Sequence, residues 1–338
     1  MKKEKWFDPF PPEVRVIGVP APASAVDGKK LAQSLRIAEE LGIRVKLGDF
    51  RNAPRGEKYF SSDVPYRIEE MNRFLRDEEI QMILCARGGY GSAYLLDHLD
   101  YGALKNRKTP LLLGGYSDIT ALHLGLLSRN IFGGITCTMF GHFADVAGNR
   151  NMALSMRESI ASALKMGRFL SPSPAEKIPG GLVRKKRFRL RHSFGEEGKF
   201  LPVHGAIVPA NLTLLTRMCG TPYFPDLSEK LLLVEEVREA PRKVDFSFLQ
   251  LHLAGLLEKC AGVLLGQYTD CGTSRELFRI FRRMAKLCGK PFCGFIPFGH
   301  GEHPSALICG EPCRIEEDGS VFLLRKIPFQ SKRKESLY

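Results

Sequence analysis

The sequence lacks the features that export a protein or hold it in a membrane. No apolar stretch among its 338 residues approaches the roughly 20 residues that a membrane-spanning helix needs. The N-terminal stretch MKKEKWFDPFPPE has two early lysines, but acidic residues and prolines follow where a signal peptide has its apolar core. We therefore expect a cytoplasmic protein that has no membrane partner.

Cysteine spacing that would indicate a disulfide framework is also missing. The chain has nine cysteines, an odd number, and in a protein of this length they indicate reduced thiols. His300, His303, Cys309 and Cys313 offer zinc-ligating side chains, but their spacing fits no standard zinc pattern and an apparent strand separates them. Cys309 and Cys313 are more simply interpreted as small buried hydrophobic residues. We expect no metal site.

The remaining composition is that of an ordinary globular protein. Apolar residues make up 44% of the chain, and no internal repeat is present. A length of 338 residues favours two domains, each large enough to bury its own core. We predict an N-terminal domain over residues 1–166, a linker over 167–197, a C-terminal domain over 198–328 and a basic tail over 329–338.

Positive charge is in excess, and it is concentrated. The formal net charge is +13, and the run Arg184–Arg191 carries six of the basic groups. Three interpretations of this run remain open: a solvated surface segment, attraction of an anionic ligand, and binding to a nucleic acid. Because no nucleic-acid recognition module accompanies the run, we favour the solvated segment.

The order of the predicted elements indicates an α/β fold. Apolar runs predict strands over residues 14–19, 43–46, 80–86, 111–113 and 130–139, and helical spacing predicts helices over 29–41, 66–77 and 152–166. This alternation is typical of a parallel sheet with helices on both faces, as in flavodoxin- or Rossmann-like domains. Predicted helices over 242–259 and 274–287 and a hairpin around 317–319 make the smaller C-terminal domain either α/β or β-rich.

Two glycine-rich turns follow neighbouring predicted strands. Gly88-Gly89-Tyr90-Gly91 follows the strand at 80–86, and Gly114-Gly115-Tyr116-Ser117-Asp118 follows the strand at 111–113. Ligand sites of doubly wound sheets form at such carboxyl ends. Ser117 has two possible roles there, the N-cap of the next helix or a nucleophile.

Neither turn matches a standard motif completely. The serine turn lacks the second glycine of the Gly-x-Ser-x-Gly motif of α/β-hydrolases. In the glycine loop, Tyr94 occupies the place of the third glycine of a dinucleotide fingerprint, and no acidic residue follows at the required distance. We therefore expect no cofactor.

The two turns nevertheless carry a specific resemblance. RGGYGSAYLLDHLDY followed by GGYSDITALHLGLL resembles the signature region of the LD-carboxypeptidase family, serine peptidases that include the muramoyl-tetrapeptide carboxypeptidases. Further stretches resemble the family in the same order, at residues 211–227, 231–245, 261–268 and 294–310. The likeness extends from about Val14 to Arg325.

The resemblance implies a catalytic triad of Ser117, Glu235 and His300. A serine hydroxyl needs a base, and His300 lies between two glycines after an apolar run. Glu235 ends the apolar run at 231–234, where a carboxylate must be paired, and by resemblance it accepts a hydrogen bond from the imidazole. Glu236 is the adjacent alternative, and strand alternation places it on the opposite face.

The same alignment of motifs implies the groups around the triad. The backbone N–H of Asp118 and a backbone N–H of Gly88 or Gly89 are the expected oxyanion hole, because glycine allows the main chain to approach closely. Arg87 has two possible roles, a bidentate clamp on the terminal carboxylate of a peptide or a structural role at the end of its strand.

The activity that the resemblance implies is removal of the terminal D-alanine from an L,D-linked muropeptide tetrapeptide, without a metal or cofactor. The family also includes microcin-immunity peptidases that act on peptidyl- or aminoacyl-nucleotides, and it tends toward homodimers. A non-catalytic binding protein is a further alternative, against which the presence of all three triad residues speaks. The chain departs from the family at Thr136-Cys137, where His-Gly-Pro is usual nearby, at Pro209-Ala210 and at Phe246-Ser247.

Overall fold

The structure, a computed structural model, describes residues 6–49, 59–167, 170–172, 183–195 and 198–325. Its strands are β1 (Val16–Val19), β2 (Arg44–Leu47), β3 (Met82–Leu84), β4 (Leu112–Gly114), β5 (Ile131–Phe132), β6 (Gly134–Thr136), β7 (Ser171–Pro172), β8 (Val183–Arg189), β9 (His192–Ser193), β10 (Val203–Asn211), β11 (Leu231–Val237), β12 (Gly262–Thr269), β13 (Phe292–Gly294), β14 (Leu307–Ile308), β15 (Pro312–Ile315) and β16 (Ser320–Arg325). Its α-helices are α1 (Gly28–Glu40), α2 (Val64–Arg76), α3 (Tyr101–Asn106), α4 (Thr120–Leu127), α5 (Phe143–Gly148), α6 (Arg150–Lys165), α7 (Leu212–Arg217), α8 (Pro241–Leu253) and α9 (Ser274–Cys288).

The N-terminal half is built on a six-stranded sheet. Its order is β14-β6-β4-β3-β1-β2, and all neighbouring strands are parallel except the pair β14–β6. The central strands β3 and β4 are fully buried, as their continuous apolar runs predicted. Helix α1 begins after Asp27, whose side chain accepts hydrogen bonds from the first-turn N–H groups. The predicted parallel α/β domain is confirmed.

The C-terminal half is an α/β unit with antiparallel edges. An eight-stranded sheet has the order β8-β16-β15-β10-β11-β12-β13-β9, in which β10, β11, β12 and β13 are parallel. Helices α7, α8 and α9 connect these four strands in turn. The strands β15 and β16 form the antiparallel hairpin predicted around residues 317–319, where Gly319 has a φ of 76°. The sequence left open whether this domain is α/β or β-rich, and the sheet combines a parallel α/β centre with antiparallel edge strands.

The range 167–197, which we predicted as a linker, contains strands in its described part. Strand β8 pairs with β16 at one edge of the second sheet, and β9 pairs with β13 at the other edge. The run Arg184–Arg191 therefore lies mostly in an edge strand and is not a loose segment. Within it, Arg187 donates to Ser155 Oγ at 2.5 Å and to Glu158 at 3.2 Å, both on α6. An edge strand that is rich in basic residues looks like a surface loop in the sequence. For this reason the run was predicted as part of a linker and not as a strand.

Two other predicted elements differ in extent. The strand predicted over 130–139 is divided into β5 and β6 at Gly133, which has a φ of 108°. The helix predicted over 242–259 ends at Leu253 in α8. The predicted basic tail over 329–338 lies outside the described residues. Within the described ranges, no helix combines the length and apolar character needed to cross a bilayer.

The second half of the chain adds a strand to the first sheet, and the two halves are also joined by a hydrogen bond. Strand β14, which follows the whole second parallel unit in the chain, pairs with β6 at the edge of the first sheet. The backbone N–H of Asn211, at the end of β10, donates to Thr120 Oγ1 at the start of α4. The second contact brings the carboxyl end of β10 to the start of α4, next to the turn that contains Ser117. The domain boundaries over 1–166 and 198–328 stay a prediction.

Candidate active site

Ser117 lies in a strained turn directly after β4. Its φ is 61°, and the preceding Tyr116 is extended at a φ of −149°. A positive φ is uncommon for a residue with a side chain and is typically found at functional sites. The turn continues as a 3₁₀ segment, Ser117–Ile119, into α4 without a capping hydrogen bond from any side chain. The alternative role of Ser117 as an N-cap is therefore wrong.

The glycine loop after β3 lies against this turn. A Cβ atom added to Gly88 would lie 3.0 Å from Ser117 Cβ, 3.2 Å from Ser117 Oγ and 3.3 Å from the Asp118 backbone nitrogen. Gly89 has a φ of 110°, and a Cβ atom there would overlap Ser24 Oγ. A side chain at Gly89 would collide with Ser24, and one at Gly88 would crowd Ser117 so closely that one of the two must shift.

Asp118 joins the loop to the turn. Its buried carboxylate accepts from the Ser92 backbone N–H at 2.8 Å, and its carbonyl accepts from Ser92 Oγ at 2.7 Å. The backbone nitrogen of Asp118 is thereby fixed beside Gly88 and Ser117. Main-chain groups of this turn and of the glycine loop thus lie close to the serine hydroxyl, and their role as an oxyanion hole stays a prediction.

His300 and Glu235 form a hydrogen-bonded pair on the second half of the chain. His300 Nδ1 lies 2.7 Å from Glu235 Oε2, and the His300 backbone N–H donates to the same oxygen at 3.1 Å. The Glu235 side chain is 1% exposed, whereas that of His300 is 19% exposed. An Nδ1–H that donates to the carboxylate leaves Nε2 as the proton acceptor.

The glycine before His300 has a packing reason. Gly299 has a φ of 105°, and a Cβ atom there would lie 2.4 Å from Glu235 Oε2. A side chain at this position would therefore push the carboxylate out of reach of the imidazole. The first glycine of the Gly-His-Gly pattern is explained by this close approach.

Glu236 has a different task from Glu235, although both carboxylates reach the same amide. A register shift between Val234 and Glu236 interrupts the pairing of β11 with β12, so simple alternation does not apply. Glu236 accepts from the Thr213 backbone N–H at 2.8 Å and from its neighbour Val237 at 2.9 Å. It therefore supports the start of α7, and Glu235 alone contacts the histidine.

Asn211 is a buried residue that the sequence did not single out as part of the site. Its Nδ2 donates to Glu235 Oε1 at 3.1 Å and to Glu236 Oε1 at 3.0 Å. Its Oδ1 accepts from the Leu214 backbone N–H at the beginning of α7. The amide thus fixes the carboxylate that holds His300. An asparagine preceding a short helix was a signal for an N-cap, but its contacts with two carboxylates depend on the fold.

Tyr116, in the turn of Ser117, contacts the loop that contains His300. Its ring centroid lies 4.8 Å from that of His300, with the planes tilted by 54°. Burial, together with the charge of Glu235, raises the pKa of Tyr116 to about 12. Tyr116 precedes Ser117 in the chain and His300 is bonded to Glu235, so the contact between Tyr116 and His300 brings the serine turn next to the Glu235–His300 pair. Among the described residues, no hydrogen bond joins the Ser117 hydroxyl to His300. Such bonds are often long until substrate binds.

The remaining predicted groups lie elsewhere or contact other partners. Arg87 is exposed, and its guanidinium donates to the Ala25 carbonyl at 2.9 Å, so its role as a carboxylate clamp stays a prediction. Thr136 and Cys137 lie with Tyr116 and Gly299 around a small cavity next to the histidine loop. Phe246 is 64% exposed on α8.

The four residues considered as zinc ligands do not converge. His303 contacts Asn149 Nδ2 at 3.0 Å, whereas His300 contacts Glu235. Cys309 lies beside Gly134, and Cys313 lies on β15. In the part of the chain that the structure describes, no three His, Cys, Asp or Glu side chains lie together as metal ligands would. All nine cysteines are free thiols, and burial raises the pKa of Cys137 to about 12.

Comparison with known proteins is consistent with this geometry. Residues 17–136 match the family described as LD-carboxypeptidase N-terminal domain, and residues 204–315 match the LD-carboxypeptidase C-terminal domain. The chain is 30% identical to a probable murein peptide carboxypeptidase of Bacillus subtilis over 260 residues, which is 75% of this chain and 72% of that protein. It is 29% identical to a murein tetrapeptide carboxypeptidase of Pseudomonas aeruginosa over 88% of this chain and 91% of that protein.

More distant relatives extend the comparison. A microcin self-immunity protein of Escherichia coli is 24% identical over 76% of each chain. The crystal structure of a muramoyltetrapeptide carboxypeptidase from Oxalobacter formigenes has the same fold, with a TM-score of 0.70 at 22% identity, over 92% of this chain and all of that one.

Proposed function

The chain belongs to the LD-carboxypeptidase family of serine peptidases, and from this premise we propose that it removes the terminal D-alanine from L,D-linked muropeptide tetrapeptides. Membership makes it a serine carboxypeptidase. The bond cleaved and the stem peptide as substrate are our proposal. The relatives named as murein peptide and murein tetrapeptide carboxypeptidases support this choice.

The observation that carries the proposal is the buried Glu235–His300 pair beside the turn of Ser117. A carboxylate that is 1% exposed and accepts two hydrogen bonds from one histidine holds that imidazole in a single orientation and tautomer. Tyr116 packs against the same imidazole and is covalently next to Ser117. The arrangement supports a Ser117–His300–Glu235 triad assembled from both halves of the chain.

The proposed reaction proceeds through an acyl-enzyme. Ser117 Oγ attacks the carbonyl carbon between the diamino acid and D-alanine, and its proton passes to His300 Nε2. Backbone N–H groups of Asp118 and of Gly88 or Gly89 receive the oxyanion. The C–N bond then breaks as His300 protonates the leaving amine of D-alanine. Water, deprotonated by His300, hydrolyses the ester and restores Ser117.

The test is hydrolysis of a tetrapeptide muropeptide followed by mass spectrometry. We expect unmodified protein to release D-alanine and leave a tripeptide, in the presence of a metal chelator as well, because the proposed chemistry uses no metal. Ser117→Ala should abolish product formation. Ser128→Ala is the matched control, since that hydroxyl lies at the end of α4, where it donates to the Gly125 carbonyl and accepts a hydrogen bond from Arg129 Nη1. Persistence of cleavage in Ser117→Ala would overturn the nucleophile assignment.

A second substrate class is favoured by one comparison. The similarity to a microcin self-immunity protein supports hydrolysis of peptidyl- or aminoacyl-nucleotides by the same triad. Incubation with both substrate types separates the two, because only the competent class yields product above the Ser117→Ala background. Non-catalytic binding, or binding to a nucleic acid through Arg184–Arg191, would leave neither class cleaved.

We propose a cytoplasmic location and a homodimer, and each needs its own measurement. Fractionation of cells tests the location. Sedimentation or light scattering of the purified chain tests the oligomeric state, and a single species with the mass of one chain would contradict the dimer.

A further inference from the structure

An exposed group of aromatic rings lies next to the glycine loop and has no role in the proposed chemistry. Tyr59, Tyr90 and Tyr94 are 50%, 44% and 51% exposed, and they surround Phe60, which is 4% exposed. We call these four residues the aromatic platform. Large rings that stay half exposed next to an active site are typical of a ligand-binding surface, because burial against the protein alone would stabilise them more.

The platform is built on a buried support. The ring of Phe60 stacks on that of Tyr90 at 5.7 Å and 15°, and the guanidinium of Arg67 lies 4.3 Å from the centroid of Phe60. Arg67 is 1% exposed, and its Nη1 donates to the carbonyls of Pro22 at 2.7 Å and Gly91 at 2.9 Å. The platform is therefore attached rigidly to the loop that contains Gly88 and Gly89.

We propose that the aromatic platform binds the amino-sugar ring of a muropeptide, so that the enzyme prefers a sugar-bearing tetrapeptide to the free peptide. This inference rests on the proposed function for the identity of the substrate. A pyranose ring presents C–H bonds on its faces, and these are attracted to the negative face of an aromatic ring. Its hydroxyl and N-acetyl groups remain at the edge, where they stay in contact with water.

The orientation of the exposed rings favours a sugar over a flat nucleobase. Tyr90 lies at 75° to Tyr59 and at 78° to Tyr94, so its ring is nearly perpendicular to each of the other two exposed rings. A base is held best between two parallel rings, and the one stacked pair of the platform, Phe60 with Tyr90, is already closed on itself. Perpendicular rings instead form a corner that fits a ring with a puckered shape.

The platform also lies at a distance that the substrate can span. Gly88, which contacts Ser117, is two residues from Tyr90, so their Cα atoms are at most about 7 Å apart. In a tetrapeptide cleaved before its last residue, three residues separate the scissile bond from the sugar. An extended stretch of that length reaches about 10 Å. One muropeptide can therefore contact Ser117 and the aromatic platform at the same time.

The test measures binding in the full chain carrying Ser117→Ala, so that no turnover is required. The ligands are N-acetylmuramoyl-tetrapeptide and the same tetrapeptide with an N-acetyl group in place of the sugar, and calorimetry gives the dissociation constants. We expect the sugar to strengthen binding about tenfold, the upper range of one aromatic contact. Tyr90→Ala and Tyr94→Ala should remove this advantage and leave the affinity for the sugar-free peptide within about twofold.

Tyr94→Phe is the matched control, because it keeps the ring and should keep the sugar advantage. Equal affinity of the two ligands for the Ser117→Ala protein without a further substitution would overturn the proposal. So would alanine variants that weaken both ligands alike while circular dichroism shows an intact fold. A loss of affinity for an aminoacyl-nucleotide alone would assign the rings to a base and also refute it. If unmodified protein releases no D-alanine but the sugar advantage is present, the proposed function fails and the sugar subsite stands.

Discussion

Replacing Glu235 by glutamine is the sharpest test of how His300 is held. Glutamine keeps the size of the buried side chain and removes its charge. The oxygen that faces His300 accepts two hydrogen bonds, from Nδ1 and from the backbone N–H, whereas the other accepts one from Asn211. We expect the amide oxygen to remain toward His300, since that orientation satisfies two donors. The imidazole then keeps its position and loses the carboxylate that stabilises its protonated form.

The expected cost follows from the lost charge pair. Opposite charges about 4 Å apart interact by about 4 kcal/mol at an effective dielectric constant of about 20. A transition state that carries an imidazolium loses this stabilisation, which corresponds to a decrease in kcat of about 10³. If the amide turns its NH₂ group toward Nδ1, the tautomer changes and the loss approaches about 10⁴.

The assay compares kcat for tetrapeptide cleavage with the thermal midpoint of the same samples. Glu236→Gln is the matched control, because it removes a neighbouring buried carboxylate that bonds the backbone of α7 and not the histidine. That variant should lose about 2 kcal/mol of stability and keep kcat within about tenfold of wild type. The reasoning is refuted if Glu235→Gln also stays within about tenfold of wild type, or if the two variants lose the same activity.

Two further predictions concern the serine turn and the buried core. Gly88→Ala places a methyl group 3.2 Å from Ser117 Oγ and should lower kcat about 10²–10³-fold, whereas Gly28→Ala, with no atom within 4 Å of its added Cβ, should leave kcat unchanged. Full activity in Gly88→Ala would exclude a role for this loop in holding the oxyanion. Burial lowers the pKa of His123 from 6.5 to about 4. Because the unfolded imidazole binds a proton below pH 6.5 and the folded one does not until about pH 4, stability is complete above pH 6.5 and falls as the pH decreases, by about 2 kcal/mol at pH 5. Urea unfolding at pH 7 and pH 5 measures this loss, and a His123→Leu variant with the same pH dependence would show that other groups cause it.

The sequence by itself predicted the architecture of the first half, and its resemblance to a family proposed the residues of the candidate site. Short apolar runs before Gly88 and before Ser117 predicted two neighbouring buried strands, because burial on both faces requires a continuous apolar strand. The glycines in both turns predicted close approach of the main chain, and the structure shows what they approach. These features depend on a few adjacent residues, and they can therefore be predicted without coordinates.

Only the tertiary structure decided how distant segments meet. The basic run at Arg184–Arg191 reads as a loop, yet it supplies an edge strand because β16 offers it a partner far along the chain. The contact between Glu235 and His300 joins residues 65 positions apart in the chain, and Asn211 contacts both carboxylates only once β10 lies beside β11. The packing of Tyr116 on His300 also arises from this assembly. Local sequence sets the period of an element, whereas pairing and register are chosen by the free energy of the whole packed chain.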